Sequence, residues 1–123
     1  MDITPHIAEG RQLVERYGAG RFRVTGRVFE GSVLVTPEVA VAWPVTCFEE
    51  LTVESLEPLL AAGLDVLLLG CGPRLLRPAK SLREAVRARG PVLEPMDTGA
   101  AARTYNVLMA EERRVGAALI AID

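Results

Sequence analysis

The first half of the chain alternates short apolar segments with turn residues, and this pattern predicts a meander of β-strands. Apolar and polar positions alternate around residues 21–24, and wholly apolar stretches follow at residues 33–35 and 39–43. The breaks Thr25-Gly26 and Glu30-Gly31 have the length and glycine content of hairpin turns. We therefore predict strands at residues 21–24, 27–30, 32–36 and 39–43.

The apolar period changes from two to about 3.6 residues at Thr52, which indicates a helix. Val53, Leu56 and Leu59 recur at helical spacing, Thr52 is a suitable N-cap, and Gly63 stands where a helix commonly ends. The pattern predicts an amphipathic helix of about eleven residues.

The remaining sequence alternates buried strands with helices. We predict strands at residues 66–69, 92–95 and 115–122, a helix at 79–89 with Pro78 suited to its first position, and a helix from the N-cap Asp97 to about Glu112. This order predicts an α/β domain whose sheet is largely parallel, with the meander adding antiparallel strands. The short last connection leaves the direction of the final strand open. We expect one domain over residues 1–123, with residues 1–11 a poorly ordered N-terminal segment.

Composition excludes several classes of function. The chain has 14 basic and 16 acidic residues and a single lysine, which argues against a nucleic-acid-binding protein. One histidine, His6, and two cysteines 24 positions apart cannot build a histidine-rich or four-cysteine metal site, so we predict no metal and no cofactor. Neither a signal peptide nor a membrane-spanning segment is recognisable, so the expected location is the cytoplasm, with both thiols reduced.

The segment Gly70-Cys71-Gly72 follows a buried strand, at the place where open α/β sheets bind ligands. Dinucleotide binding is disfavoured because Leu75 occupies the third glycine position and the next helix begins only near Ala79. Arg74 lies close to Cys71 in sequence and would favour a reactive thiolate, but most cysteines are small buried residues.

Other potential nucleophiles lack the sequence context for catalysis. Cys47, beside Phe48, is predicted to be a core residue, and no serine lies in a G-x-S-x-G elbow. The sequence therefore leans against an enzyme.

The helix that begins after Asp97 has two distinct faces. Its apolar stripe, which should pack on the sheet, holds Ala101, Tyr105 and Leu108. A second face combines the small Gly99 with Arg103, which is suited to binding a carboxylate or phosphate, and with the amide of Asn106. Glycine in a first helical turn costs about 1 kcal/mol relative to alanine, which favours a packing or contact role for Gly99.

These residues resemble the signature of the mitochondrial complex I assembly-factor and adipogenesis-associated Mth-domain family. The matching segments are Met96-Asp97-Thr98, Ala100-Ala101, the run from Arg103 to Leu108, Glu111-x-Arg113-Arg114, Tyr17-Gly18-x-Gly20-x-Phe22, Gly31-Ser32-Val33-Leu34-Val35, Trp43-Pro44 and Gly70-Cys71-Gly72. The resemblance as a whole covers roughly residues 12–122, and its specificity comes from the order and spacing of these segments. The resemblance implies a single three-layer α/β domain with a mixed sheet and about three helices. It also implies a bacterial-type member without established catalytic residues, whose mitochondrial relatives assist complex I assembly through protein contacts.

Our first hypothesis is a non-enzymatic, assembly-factor-like module that binds a protein partner through the surface from Asp97 to Asn106 and the adjoining Gly70 loop. The candidate binding residues are Gly70, Cys71, Gly72, Asp97, Thr98, Gly99, Arg103, Tyr105 and Asn106. The alternative is an enzyme or sensor for a small anionic metabolite, with a crevice formed by residues 70–72 together with Asp97, Arg103 and Asn106. Homo-oligomerisation, through the same surface or through an edge of the meander, is a third hypothesis.

Overall fold

Two β-sheets and three α-helices make up residues 10–123, the part of the chain that the computed structural model describes. The strands are β1 (Val14–Gly18), β2 (Arg21–Val24), β3 (Arg27–Glu30), β4 (Val33–Val35), β5 (Ala40–Ala42), β6 (Val66–Gly70), β7 (Val92–Met96) and β8 (Val115–Leu119). The helices are α1 (Glu57–Leu60), α2 (Lys80–Ala88) and α3 (Thr98–Ala110). His6 and most of the segment 1–11 lie outside the described residues.

The small sheet is antiparallel, with strand order β1-β2-β3. Thr25 and Gly26 join β2 to β3 and both have positive φ, 47° and 83°, as a two-residue type I′ hairpin requires. Both strands have their predicted bounds. Strand β1 was not predicted, because only Val14 among its five residues is buried and no alternation is visible.

The large sheet is mixed, with strand order β5-β4-β8-β6-β7. Strand β6 runs parallel to both β7 and β8, whereas β4 is antiparallel to β5 and β8. The final strand therefore continues the parallel part of the sheet, and the predicted mixed α/β fold is confirmed.

The large sheet is buried on both faces and separates two apolar cores. One core lies between this sheet, α3 and the small sheet; its larger members are Phe22, Phe29, Val33, Val35, Leu68, Tyr105, Met109 and Leu119. The other lies under α1 and α2; its members include Leu34, Trp43, Leu56, Leu59, Leu67, Leu69, Val86 and Leu93. Neighbouring residues of one strand enter different cores, which explains the continuous apolar runs in the sequence.

The predicted helix after Thr52 is wrong in length. A 3-10 turn, Glu54–Leu56, precedes α1, which has only four residues. Thr52 Oγ1 accepts from Ser55 N at 3.0 Å and Ser55 Oγ accepts from Thr52 N at 3.1 Å, so Thr52 caps the start of this helical segment as predicted. Pro58 has no N–H to donate to the carbonyl of Glu54, so the α-helix cannot extend back over this turn.

Cys47 is exposed, which corrects its prediction as a core residue. The apolar positions nearby are taken by Trp43 and Val45, 3% and 5% exposed. Two further bounds also differ from expectation. Ala79 is the N-cap of α2, so Pro78 precedes the helix, and β8 ends at Leu119.

Gly116 in β8 is expected to tolerate no side chain without loss of stability. A Cβ at this position would lie 2.5 Å from Leu64 Cδ1 and 3.3 Å from Leu59 Cδ2. Gly116→Ala should lower the free energy of unfolding by about 1–3 kcal/mol, measured by urea denaturation. Leu64→Val shortens the opposing side chain. Gly116→Ala should therefore cost less unfolding free energy in a Leu64→Val background than in the wild type. A Gly116→Ala protein as stable as the wild type would contradict this account of the packing.

Candidate functional site

Helix α3 begins where the sequence places it, with Asp97 as N-cap. The Asp97 backbone is extended, and its carboxylate accepts a hydrogen bond from Ala100 N at 2.8 Å. This bond satisfies one of the free N–H groups of the first turn and fixes the direction in which the helix leaves β7.

Thr98, the first residue of α3, joins the helix to the Gly70 loop and to the end of β8. Its buried hydroxyl donates to Ile120 O at 2.7 Å and accepts from Gly72 N at 3.0 Å. Thr98 N donates in turn to Gly72 O, and Cys71 N donates to Met96 O, both at 2.8 Å. The loop and the helix start, which the sequence suggested to be neighbours, are thus in direct contact.

This junction fills the place where a ligand crevice would open. The chain leaves β6 toward α2 and β7 toward α3, on opposite faces of the sheet, which is the arrangement that creates a crevice in open α/β folds. Here the first turn of α3 packs directly on the end of β6. A Cβ on Gly70 would lie 3.0 Å from Thr98 Cα, so glycine is what permits the approach.

The cleft beside the Gly70 loop belongs to another part of the surface. It has a volume of about 500 Å³ and is lined by Thr46, Cys47, Phe48, Glu49, Cys71, Gly72, Pro73, Arg74, Leu76, Ile120 and Ala121. Asp97, Arg103 and Asn106 do not line it. The crevice expected for a metabolite enzyme combined residues 70–72 with Asp97, Arg103 and Asn106. This cleft contains only residues of the first group.

Cys71 is a poor candidate for a nucleophile. Its side chain is 3% exposed, and its Sγ lies 3.4 Å from Leu76 O. Burial raises the pKa of the Cys71 thiol above its usual value, so the neutral thiol is favoured.

Asn106 uses its whole amide to hold the small sheet. Its Oδ1 accepts from Val14 N at 3.0 Å, and its Nδ2 donates to Val14 O at 2.8 Å. The side chain thereby pairs with β1 as a neighbouring strand would. The directional hydrogen bond expected for a partner or ligand is made within the chain.

Gly99 and Arg103 both contact Tyr17 of β1. A Cβ on Gly99 would lie 2.9 Å from the Tyr17 hydroxyl oxygen, so the missing side chain makes room for the tyrosine ring. The Arg103 guanidinium donates a hydrogen bond to the same hydroxyl. The face that carries Gly99, Arg103 and Asn106 is therefore largely an internal contact between α3 and β1.

Tyr105 is likewise a structural residue. Its ring is fully buried, its hydroxyl donates to Gln12 O at 2.8 Å, and burial raises the pKa of the phenol above its usual value. The predicted packing of this stripe of α3 on the sheet is observed.

Most of the nine candidate residues are thus interior. Six are buried, namely Gly70, Cys71, Gly72, Thr98, Gly99 and Tyr105. Asp97 and Asn106 are partly buried, and only Arg103 is exposed. Whether the region binds a partner stays a prediction, but the part open to one is narrower than expected.

The open part is a ridge formed by Tyr17, Arg103 and Val107, called here the α3 ridge. Val107 is 57% exposed and lies one helical turn from Arg103, and Tyr17 is 38% exposed. Sequence reasoning missed Tyr17 and Val107 as surface residues. Two signals were available in the sequence. Gly99 in the first helical turn indicates a close neighbour, which is Tyr17, and Val107 is an apolar residue beside the polar face of α3.

The described residues 10–123 contain no group of three or more histidine, cysteine or acidic side chains placed to bind a metal ion. Over the same residues, no helix has the length and apolarity needed to cross a membrane.

Comparison with known proteins identifies the family. Residues 14–120 match the sequence profile described as "Protein of unknown function (DUF498/DUF598)". The chain belongs to the DUF498 family. The resemblance to complex I assembly factors and Mth-type domains is confirmed by individual relatives.

One relative of this DUF498 protein is an uncharacterized protein of Rhodobacter capsulatus, 42% identical over 111 residues, covering 90% of this chain and 86% of the relative. Another is the human protein named NADH dehydrogenase (ubiquinone) 1 alpha subcomplex assembly factor 3, 31% identical over 122 residues and 98% of this chain. The chain spans 66% of that human protein and 60% of its Xenopus tropicalis counterpart.

A solved structure with the same fold is a Bordetella pertussis protein described as a Mth938-like domain. It superposes with a TM-score of 0.83 at 31% identity, covering 98% of this chain and 92% of that one. The DUF498 chain therefore has the Mth938-like fold.

The two hydrogen bonds of the Asn106 amide should contribute measurably to the free energy of unfolding. Asn106→Asp keeps the acceptor for Val14 N but places a second carboxylate oxygen against Val14 O, so we expect a loss of about 1–3 kcal/mol in the free energy of unfolding. Thr104→Ala, on the same helix, should change it by less than about 0.5 kcal/mol. Equal unfolding midpoints in urea for the two variants would refute the role of the amide.

The Thr98 hydroxyl should matter more than its methyl group. Thr98→Val leaves Gly72 N and Ile120 O without their shared partner, so a loss of about 2–4 kcal/mol is expected on thermal or urea unfolding. Thr98→Ser retains the hydroxyl and should lose about 1 kcal/mol. If serine proved as damaging as valine, packing rather than hydrogen bonding would explain the junction.

Proposed function

We propose that this protein is a non-enzymatic, assembly-factor-like module that binds another protein through the α3 ridge. The observation that carries the proposal is the alignment of almost the whole chain, 98% of it, with a protein named as a complex I assembly factor. Since the chain spans only 66% of that relative, the function of the whole relative extends to this chain only as part of the proposal.

The composition of the α3 ridge suits a protein interface. Tyrosine and arginine are enriched among the residues that contribute most to protein binding. The hydrogen bond between Arg103 and the Tyr17 hydroxyl holds both side chains in place before a partner arrives, which lowers the entropic cost of association. Val107 adds an exposed apolar contact to this charged and aromatic pair.

The polar groups of α3 favour binding over catalysis. The side chains of Thr98, Tyr105 and Asn106 are each hydrogen-bonded to main-chain atoms of the chain itself. A general acid, base or nucleophile must reach a substrate atom, and these groups are engaged elsewhere.

The proposal includes a cytoplasmic location. Cys47 and Cys71 are both free thiols, and Cys47 is exposed, as suits a reducing compartment.

Substitutions on the α3 ridge should remove the partner without unfolding the domain. Val107→Glu places a charge on a side chain that is 57% exposed, and Arg103→Ala removes the cation. In cross-linking and affinity capture from the native host, both variants should lose at least about tenfold of a protein that the wild type retains, which corresponds to about 1.4 kcal/mol.

The matched control is Val39→Glu, a similar change at a valine that is 51% exposed in the β4–β5 turn. This variant should capture the partner as the wild type does. Identical captured proteins for the wild type, Val107→Glu and Val39→Glu would disprove binding through the α3 ridge.

A further inference from the structure

We propose that the outer face of the small sheet, the side turned away from α3, binds an acidic segment of a protein partner. The proposal rests on the proposed function, since it names the chemistry of the partner, but it concerns a different set of residues. These residues are Arg16, Arg21, Arg23 and Val28, called here the basic face.

The strand register places the residues of the basic face in two rows. Arg16 lies opposite Arg23, which lies opposite Val28. The next row on the same side places Arg21 opposite Glu30. Side chains alternate between the two sides of a strand, so the intervening aromatic row, with Phe22 buried, points to the core while the arginines point outward.

The charges on this face are incompletely balanced. Arg23 Nε lies 3.3 Å from Glu15 Oε1, and Arg21 Nε lies 3.4 Å from Glu30 Oε2. Arg16 has no carboxylate within 4.0 Å among residues 10–123. Like charges directly opposite each other on a sheet are unfavourable, so a carboxylate bound between Arg16 and Arg23 would relieve a repulsion as well as form a charge-assisted hydrogen bond.

The face also offers shape and apolar contact. A groove of about 460 Å³ runs over it, lined by the four residues of the basic face together with Gly18 and Ala19. Val28 is 59% exposed at the end of the arginine row.

An acidic polypeptide fits these features better than a nucleic acid. Three arginines and the two glutamates paired with them leave a local charge of only 3 − 2 = +1. Binding to a phosphate backbone draws its affinity from several uncompensated cations, and exposed valine adds nothing to it. A peptide that combines carboxylates with apolar side chains matches both the charge of Arg16 and the surface of Val28.

The experiment is a titration of the ¹⁵N-labelled chain, followed by its amide NMR spectrum. The probe is an acetylated octapeptide of alternating glutamate and valine, and the matched peptide has glutamine for glutamate. The acidic peptide should produce saturable shifts confined to β1–β3, should bind at least about tenfold more tightly than the neutral peptide, and should weaken as salt is raised.

The variant Arg16→Gln/Arg23→Gln should lose these shifts. Arg77→Gln/Arg113→Gln, which removes the same charge from two exposed arginines elsewhere, should retain them. The spectrum itself reports whether each variant is folded, and Arg16→Gln alone, which breaks no ion pair among the described residues, replaces the double variant if folding fails.

Equal binding of the two peptides, shifts outside β1–β3, or unchanged binding by Arg16→Gln/Arg23→Gln would overturn the proposal. Tighter binding of a single-stranded oligonucleotide at the same amides would overturn it too. If the acidic peptide does not bind, but Val107→Glu still fails to capture a protein that the wild type captures, then only the acidic chemistry assigned to the partner is wrong. If the peptide binds, but neither Val107→Glu nor Arg103→Ala changes the captured proteins, then the proposed binding through the α3 ridge is wrong instead.

Discussion

The pairing of the Asn106 amide with the backbone of Val14 is the contact on which the layered structure depends. Three strands of four or five residues need a buried apolar face, or a helix to pack against, to form a stable sheet. The small sheet is stable because Phe22 and Phe29 are buried against α3 and the large sheet. That burial brings β1 against a helix, which offers no strand to pair with, and the Asn106 side chain supplies the missing donor and acceptor.

Thr98 has the corresponding role at the other end of the same helix. Asn106 and Thr98 are eight positions apart, or about 12 Å along the helix axis. One side chain binds the small sheet and the other binds the ends of β6 and β8, so α3 is fixed to both sheets. Gly99 and Gly70 lie beside these contacts because both require backbone to approach without an intervening Cβ.

Periodicity predicted the elements whose burial is regular. Strands β2 and β3, the parallel strands β6 and β7, and helices α2 and α3 all lie where the pattern of apolar residues places them. Strand β1 was not predicted because its outward residues are charged and its inward contacts are made by Val14 and Tyr17. The α-helix after Thr52 is shorter than predicted for a local reason: Pro58 interrupts the helical hydrogen bonding of a segment whose apolar spacing is continuous.

The sequence indicated which residues form the candidate site, but it did not indicate whether they face a partner or the rest of the fold. A helical wheel separates polar from apolar faces, but it carries no information on what covers the polar one. Asn106 and Gly99 were grouped with Arg103 as a surface open to a partner, whereas both face β1, a strand 92 and about 80 positions earlier in the chain. Only a long-range contact distinguishes an amide that binds a partner from an amide that binds the fold.

This distinction bears on what family membership means for function. The segments that carry the resemblance to the family, such as the residues around Gly70 and from Asp97 to Asn106, lie mainly where α3 joins the two sheets. Two chains that share them must share the fold, because the same glycines, threonine and asparagine are needed to join α3 to both sheets. Under the proposed function, the choice of partner resides in exposed residues between those junctions, such as the α3 ridge and the basic face. A relative can therefore retain every motif and still bind a different protein.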